Sequence, residues 1–142
     1  ALVIGKTDQK KQLMDLAESL GVKSRIRILP PTPQVEKFYH ALDLLVHPAR
    51  IEEFGQVVQE GIMCGTPVLV GSLVGSAELF QGVGRKLVLP DIEPEAIAKS
   101  ISRAIADPDQ TSKAHQAVYD LMRFNTDLAN FEKTQAFLGL GR

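Results

Sequence analysis

Five short apolar runs recur along the chain as far as residue 89: Leu2-Val3-Ile4, Ile26-Arg27-Ile28-Leu29, Leu44-Leu45-Val46, Val68-Leu69-Val70 and Leu87-Val88-Leu89. Most carry no polar alternation. A strand with one wet face alternates, so unbroken runs belong to strands covered on both faces, the situation of a parallel sheet between helices. The stretches between them have helical spacing. Leu13, Leu16, Ala17 and Leu20 fall at i, i+3, i+4 and i+7, with Gly21 where a C-terminal cap belongs. Val35, Phe38, Tyr39 and Leu42 repeat the spacing, with Thr32 as N-cap and Pro33 at the first helical position. Ile97, Ile101, Ala104 and Ile105 predict a helix between Glu93-Pro94 and Asp107-Pro108, and Ala114, Ala117, Val118, Leu121 and Met122 form a last helical face. This alternation predicts an α/β domain with a doubly wound, Rossmann-like parallel sheet, whose ligand crevice lies beyond the carboxyl ends of the strands. A chain of 142 residues suits one domain. We expect an α/β core over 1–107 and a helical tail over 108–142.

Charge excludes whole classes of partner. Sixteen basic and seventeen acidic residues are interspersed for a net charge of −1, which leaves no footprint for a nucleic-acid backbone or an anionic membrane surface. No run approaches the roughly 20 apolar residues of a transmembrane segment, and no signal segment opens the chain. The single cysteine, Cys64, rules out an internal disulfide and fits a reducing compartment, the cytoplasm. It reads as a small buried helix residue. The chain begins directly in "ALVI" without an initiator Met, so we expect a cut chain with residues missing upstream.

Familiar catalytic signatures are absent. Gly5-Lys6-Thr7 lacks the earlier glycine and the loop of a phosphate-binding P-loop, and no G-x-G-x-x-G follows a strand. No G-x-S-x-G occurs. His40, His47 and His115 lack the spacing to share a metal with one another or with Cys64, so no metal is expected.

The stretch from Glu52 to Val68, "EEFGQVVQEGIMCGTPV", follows the strand Leu44-Leu45-Val46 and the turn His47-Pro48, and therefore lies at the crevice end of the sheet. A helix runs from Gly55 to Met63, stopped by Gly65 and Pro67. Phe54-Gly55 offers no Ser, Thr, Asp or Asn side chain to the first free N–H groups, which leaves them for an anion such as phosphate. Glu60 within the helix and Glu52 before it flank that first turn, and carboxylates accept hydrogen bonds from sugar and ribose hydroxyls. A phosphate site between two such acceptors suits a nucleotide-sugar. On spacing alone, acidic residues that complement the helix dipole and face solvent explain the same pattern.

At these residues the chain resembles the family 4 glycosyltransferases, two-domain GT-B enzymes whose second domain carries Glu, seven residues, Glu. Glu52 and Glu60 keep that spacing. The resemblance extends to Phe54-Gly55, to Gly65-Thr66-Pro67-Val68, and to Ala41-Leu42-Asp43-Leu44-Leu45-Val46-His47-Pro48. It also takes in the opening strand, "LGVKSRIRILP" and "LVLPDIEPEAIAKSISRAIADP".

The resemblance implies the C-terminal, nucleotide-sugar-binding half of a GT-B architecture, truncated at its N-terminal edge and lacking the N-terminal acceptor-binding domain. It implies a retaining glycosyltransferase of polysaccharide or glycoconjugate biosynthesis, the fragment itself being inactive without that domain. The donor is a UDP-sugar, with GDP- or ADP-sugars as alternatives, no further cofactor is required, and peripheral membrane association of the full enzyme is compatible with this reading. Glu52 is the catalytic carboxylate that contacts and orients the donor sugar. Glu60 takes the ribose hydroxyls. The backbone around Phe54, Gly55, Gln56 and Val57 holds the diphosphate, and Pro30 and Pro31 lie against the base. Glu53 stands where the family commonly has glycine, Gly61 where it has alanine, and Gly75-Ser76 where a glycine pair often precedes Glu78. The extra charge of Glu53 beside a diphosphate calls for a side chain turned away or met by Arg50; Lys6 and Arg50 otherwise read as solvated surface charges. Other readings are a non-catalytic nucleotide-sugar-binding module and a GT-B-like sugar-nucleotide epimerase or phosphorylase.

Overall fold

The computed structural model describes residues 1–5 and 8–124. They divide between two compact units, Ala1–Val35 and Glu36–Arg142.

In the first unit, β1 (Leu2–Ile4) and β2 (Arg27–Leu29) pair in parallel, Leu2 opposite Arg27 and Ile4 opposite Leu29. The crossover between them is α1 (Lys10–Ser19). Gly21 takes the left-handed conformation expected of a cap, at φ 68°, and the next N–H, from Val22, donates to the Ala17 carbonyl at 2.8 Å. The helix is where its spacing predicts it, yet of its apolar stripe only Ala17 is buried. Leu13, Leu16 and Leu20 are 39, 56 and 66% exposed. Two strands of three residues present too little surface to cover a helical face.

Pro30 and Pro31 follow β2 and are exposed. The helix expected from Pro33 starts later. Thr32 Oγ1 accepts from the Gln34 N–H at 3.2 Å, a local bond that competes with helix formation, and α2 is confined to Glu36–Tyr39.

The second unit carries β3 (Leu45–His47), β4 (Val68–Gly71) and β5 (Val88–Leu89), all parallel, in the order β3-β4-β5. All five predicted strands are therefore present, in sheets of two and three rather than in one ladder. The central strand is buried along its whole length, as its unbroken apolar run requires. Around it lie α3 (Gln56–Met63), α4 (Pro94–Ala106) and α5 (Pro108–Phe124). Val58 and Ile62 of α3, Ala104 of α4, and Ala114, Val118 and Met122 of α5 join Leu69, Val70, Phe80, Leu87 and Leu89 in one core. Pro94 opens α4 as predicted, and Asp107 Oδ1 accepts from the Gln110 N–H at 3.0 Å at the start of α5. Ile105, expected on the buried face of α4, is exposed.

Between β4 and β5 the chain makes two 3-10 turns, Gly75–Leu79 and Gly82–Leu87, with no α-helix. The expected tail is helical to Phe124; its remainder, 125–142, lies outside the described residues. Among the described residues, no helix is long and apolar enough to cross a membrane.

Candidate functional site

Beyond β3 the backbone leaves the sheet, passes Glu52 and enters α3 at Gly55. Gly55 has φ 71° and ψ 57°, and no side chain caps the helix start. The first N–H groups of a helix have no partner within it, so those of Gln56 and Val57 point outward where the helix dipole favours negative charge. Two constraints select glycine at 55. A Cβ there would be strained by the positive φ, and it would lie 2.7 Å from Val74 Cγ1 and 2.9 Å from Ser76 Oγ.

The loop before the helix is clasped by the segment after β4. Glu52 pairs with Val74 in a parallel bridge, the Gly75 N–H donates to the Glu52 carbonyl at 2.9 Å, and the Ser76 N–H donates to the Phe54 carbonyl at 3.2 Å. A Cβ on Gly75 would stand 1.9 Å from the Glu53 carbonyl oxygen, so the two backbones approach as only glycine allows. That contact gives the first glycine of the Gly75-Ser76 pair its physical reason. The second position tolerates a side chain, and Ser76 Oγ is buried with no hydrogen-bond partner among the described residues.

Each of the two predicted carboxylates is held by a side chain that the sequence reading did not assign to the site. Glu52 Oε2 accepts from the His47 imidazole at the end of β3. Glu60 Oε2 accepts from the Tyr39 hydroxyl at 2.9 Å. Tyr39 is only 5% exposed, and burial, followed by the hydrogen bond and charge of Glu60, pushes its phenol well above the usual tyrosine range. Its own carbonyl accepts from Thr66 Oγ1 at 2.7 Å. In the sequence, Tyr39 is one apolar position of a helix and His47 a candidate metal ligand without partners. The signal for Tyr39 is chemical: a tyrosine on the buried face of a helix needs an acceptor for its hydroxyl, and His47 stands at the end of the strand that leads to Glu52.

Glu52, Phe54, Gly55, Gln56, Val57 and Glu60 all lie in the second unit, on the segment that runs from the end of β3 through α3, while Pro30 and Pro31 belong to the first unit. Glu53 is exposed, and Arg50 does not answer its charge: the Arg50 guanidinium lies 3.8 Å from Glu93, both side chains being exposed. Lys6 lies outside the described residues. Cys64 is the half-buried C-cap of α3 rather than a buried residue within it. Gly61 lets α3 lie close on the sheet, since a Cβ there would come within 2.7 Å of Leu45 Cδ2 and 3.2 Å of Val68 Cγ2. Among the described residues, no group of three or more His, Cys, Asp or Glu is arranged to hold a metal ion.

Three comparisons bear on this arrangement. A D-inositol 3-phosphate glycosyltransferase of Thermobispora bispora is 36% identical over 100 residues, which cover 69% of this chain and 23% of that protein. The Streptosporangium roseum protein of the same name is 39% identical over 99 residues, 68% of this chain and 22% of that one. The chain thus spans about a quarter of the length of these curated relatives. Among solved structures, Anabaena HepE in complex with UDP-glucose superposes with a TM-score of 0.80 at 23% identity, over 97% of this chain and 40% of that one. Sucrose-phosphate synthase of Thermosynechococcus elongatus superposes with a TM-score of 0.78 at 22% identity, over 98% of this chain and 38% of that one. These likenesses show a Rossmann-like α/β fold with parallel strands. The sequence profile of the family described as glycosyl transferases group 1 matches residues 1–120, and the chain belongs to that family.

Proposed function

We propose that this chain is the donor-binding half of a retaining glycosyltransferase that moves a sugar from a nucleotide-sugar, a UDP-sugar in the first instance, to a glycan or glycoconjugate acceptor. The observation that carries the reading is the uncapped start of α3 with an anchored carboxylate before it and another one turn in. In this reading the N–H groups of Gln56 and Val57 and the dipole of α3 hold the diphosphate, and they bear more of the charge as it departs. Glu60 accepts from the ribose hydroxyls, and Glu52, aligned by His47, accepts from hydroxyls of the donor sugar and orients it. Phe54 and Gly55 shape the approach to the phosphates. UDP-glucose in the complex of Anabaena HepE supports the choice of donor class.

We further place the reaction in the cytoplasm, in the synthesis of a surface glycan, with a separate acceptor-binding domain completing the cleft; transfer requires donor and acceptor to be held together. The free Cys64 suits a reducing compartment.

Isothermal titration with UDP, GDP and ADP tests the site. Binding of one of them, weakened at least about tenfold by Glu60→Ala, is the expected result for loss of charge-assisted hydrogen bonds. Binding that is indifferent to Glu60→Ala removes Glu60 from the site. In the enzyme with its acceptor domain, Glu52→Ala and Glu60→Ala should each abolish most transfer, and normal turnover in both defeats the assignment.

A further inference from the structure

The Glu60 carboxylate is already engaged before any ligand arrives. Thr66, 1% exposed, donates through Oγ1 to the Tyr39 carbonyl at 2.7 Å, and Tyr39 donates through its hydroxyl to Glu60 Oε2 at 2.9 Å. The Thr66 N–H in turn donates to the Gly61 carbonyl at 2.9 Å, next to Glu60 in α3. The relay joins the second half of α3 and the turn after it to the end of α2, and closes on itself.

A phenylalanine would fill the buried volume at 39 without a hydroxyl to desolvate, so a tyrosine there is disfavoured unless its O–H has a partner. Its partner is the carboxylate proposed to meet the ribose. A glutamate side chain free to rotate loses conformational freedom when it binds, whereas one held beforehand loses less and keeps its second oxygen aimed.

We propose that Tyr39 is a positioning residue that holds Oε2 of Glu60 and turns Oε1 toward the ribose diol of a nucleoside diphosphate, so that preference for ribose depends on a phenol that does not itself touch the ligand. This rests on the ribose role proposed above for Glu60. It adds that the preference is set by a side chain on another helix, through one hydrogen bond.

Titration of the 142-residue chain with UDP and with 2′,3′-dideoxy-UDP tests this in four proteins: wild type, Tyr39→Phe, Glu60→Gln and the double variant. Wild type should prefer UDP by about tenfold, the value of one charge-assisted hydrogen bond. Tyr39→Phe should reduce UDP affinity by roughly threefold to tenfold while dideoxy-UDP affinity stays put, so the preference shrinks. In the Glu60→Gln background, Tyr39→Phe should change neither affinity further, as expected of two residues acting as one unit. An unchanged preference in Tyr39→Phe, or a parallel loss of both nucleotides, overturns the positioning role and leaves Glu60 in place. A wild type that binds both nucleotides equally, or neither, overturns the ribose reading and this inference together.

Discussion

Glu52 and Glu60 stand on the two sides of the same helix start, and they are held in place by different physics. Glu52 sits in irregular backbone whose shape comes from main-chain bonds to the segment at 74–76. Glu60 sits on a regular helix, where the backbone needs no outside help and only the side chain has to be fixed, by Tyr39. A loop residue therefore depends on close backbone approach as well as on its donor, His47, and a helix residue on one donor. The two carboxylates should fail under different substitutions.

The largest effect should come from breaking the clasp. Gly75→Ala drives a Cβ into the Glu53 carbonyl, 1.9 Å away, and because that neighbour is backbone it cannot swing aside. A destabilisation of about 3 kcal/mol in urea unfolding is expected, at the upper end for overpacking, together with loss of sugar-nucleotide binding. Wild-type stability in this variant would mean that the clasp is not needed.

Thr66→Val tests the helix side. It leaves the buried Tyr39 carbonyl without its 2.7 Å donor, and a loss of about 1–2 kcal/mol is expected by the same measurement. The damage should pass to Glu60 through Tyr39 and spare Glu52. Equal loss of UDP and of the sugar contribution to UDP-glucose binding would erase the distinction.

Alkaline titration sharpens it further. The Tyr39 phenol lies above its unfolded value of 10.0 because burial, then Glu60, opposes ionisation. A folded-state pKa above the unfolded one stabilises fully below the unfolded value, and that stability is lost as pH rises above it toward the folded value. Wild-type stability should thus fall more steeply above pH 10 than that of Tyr39→Phe. Identical slopes would place the phenol in a more solvated setting.

A smaller effect belongs to the surface. Arg50→Ala removes an exposed pair with Glu93 at 3.8 Å and should alter stability by no more than about 0.5 kcal/mol. A larger loss in thermal melts would show that Arg50 braces the loop that carries Glu52.

Much of this arrangement was legible in the residues. Short apolar runs placed each strand among the described residues, and the lack of a capping side chain at Phe54-Gly55 identified the open helix start. Other features were not legible, because they depend on what a residue meets across the fold. The apolar spacing of α1 predicts its helix correctly and its burial wrongly, since burial needs a surface to receive it. Val35 to Leu42 has helical spacing as well, yet the Thr32 side chain turns the chain first and one turn of helix remains. The segment from Ser72 to Leu87 carries no periodicity that announces two 3-10 turns.

The sequence by itself determined the alternation of parallel strands and helices, the glycine at the uncapped start of α3, and the presence of carboxylates on both sides of it. These are local, because periodicity and backbone freedom act over a few neighbouring residues. Only the tertiary structure decided that Gly75 lets a second backbone clasp the loop of Glu52, and that Tyr39 and His47 are the donors holding the two carboxylates. The Tyr39 bond spans 21 residues of chain, and it exists because the sheet and its helices bring those segments within hydrogen-bonding reach.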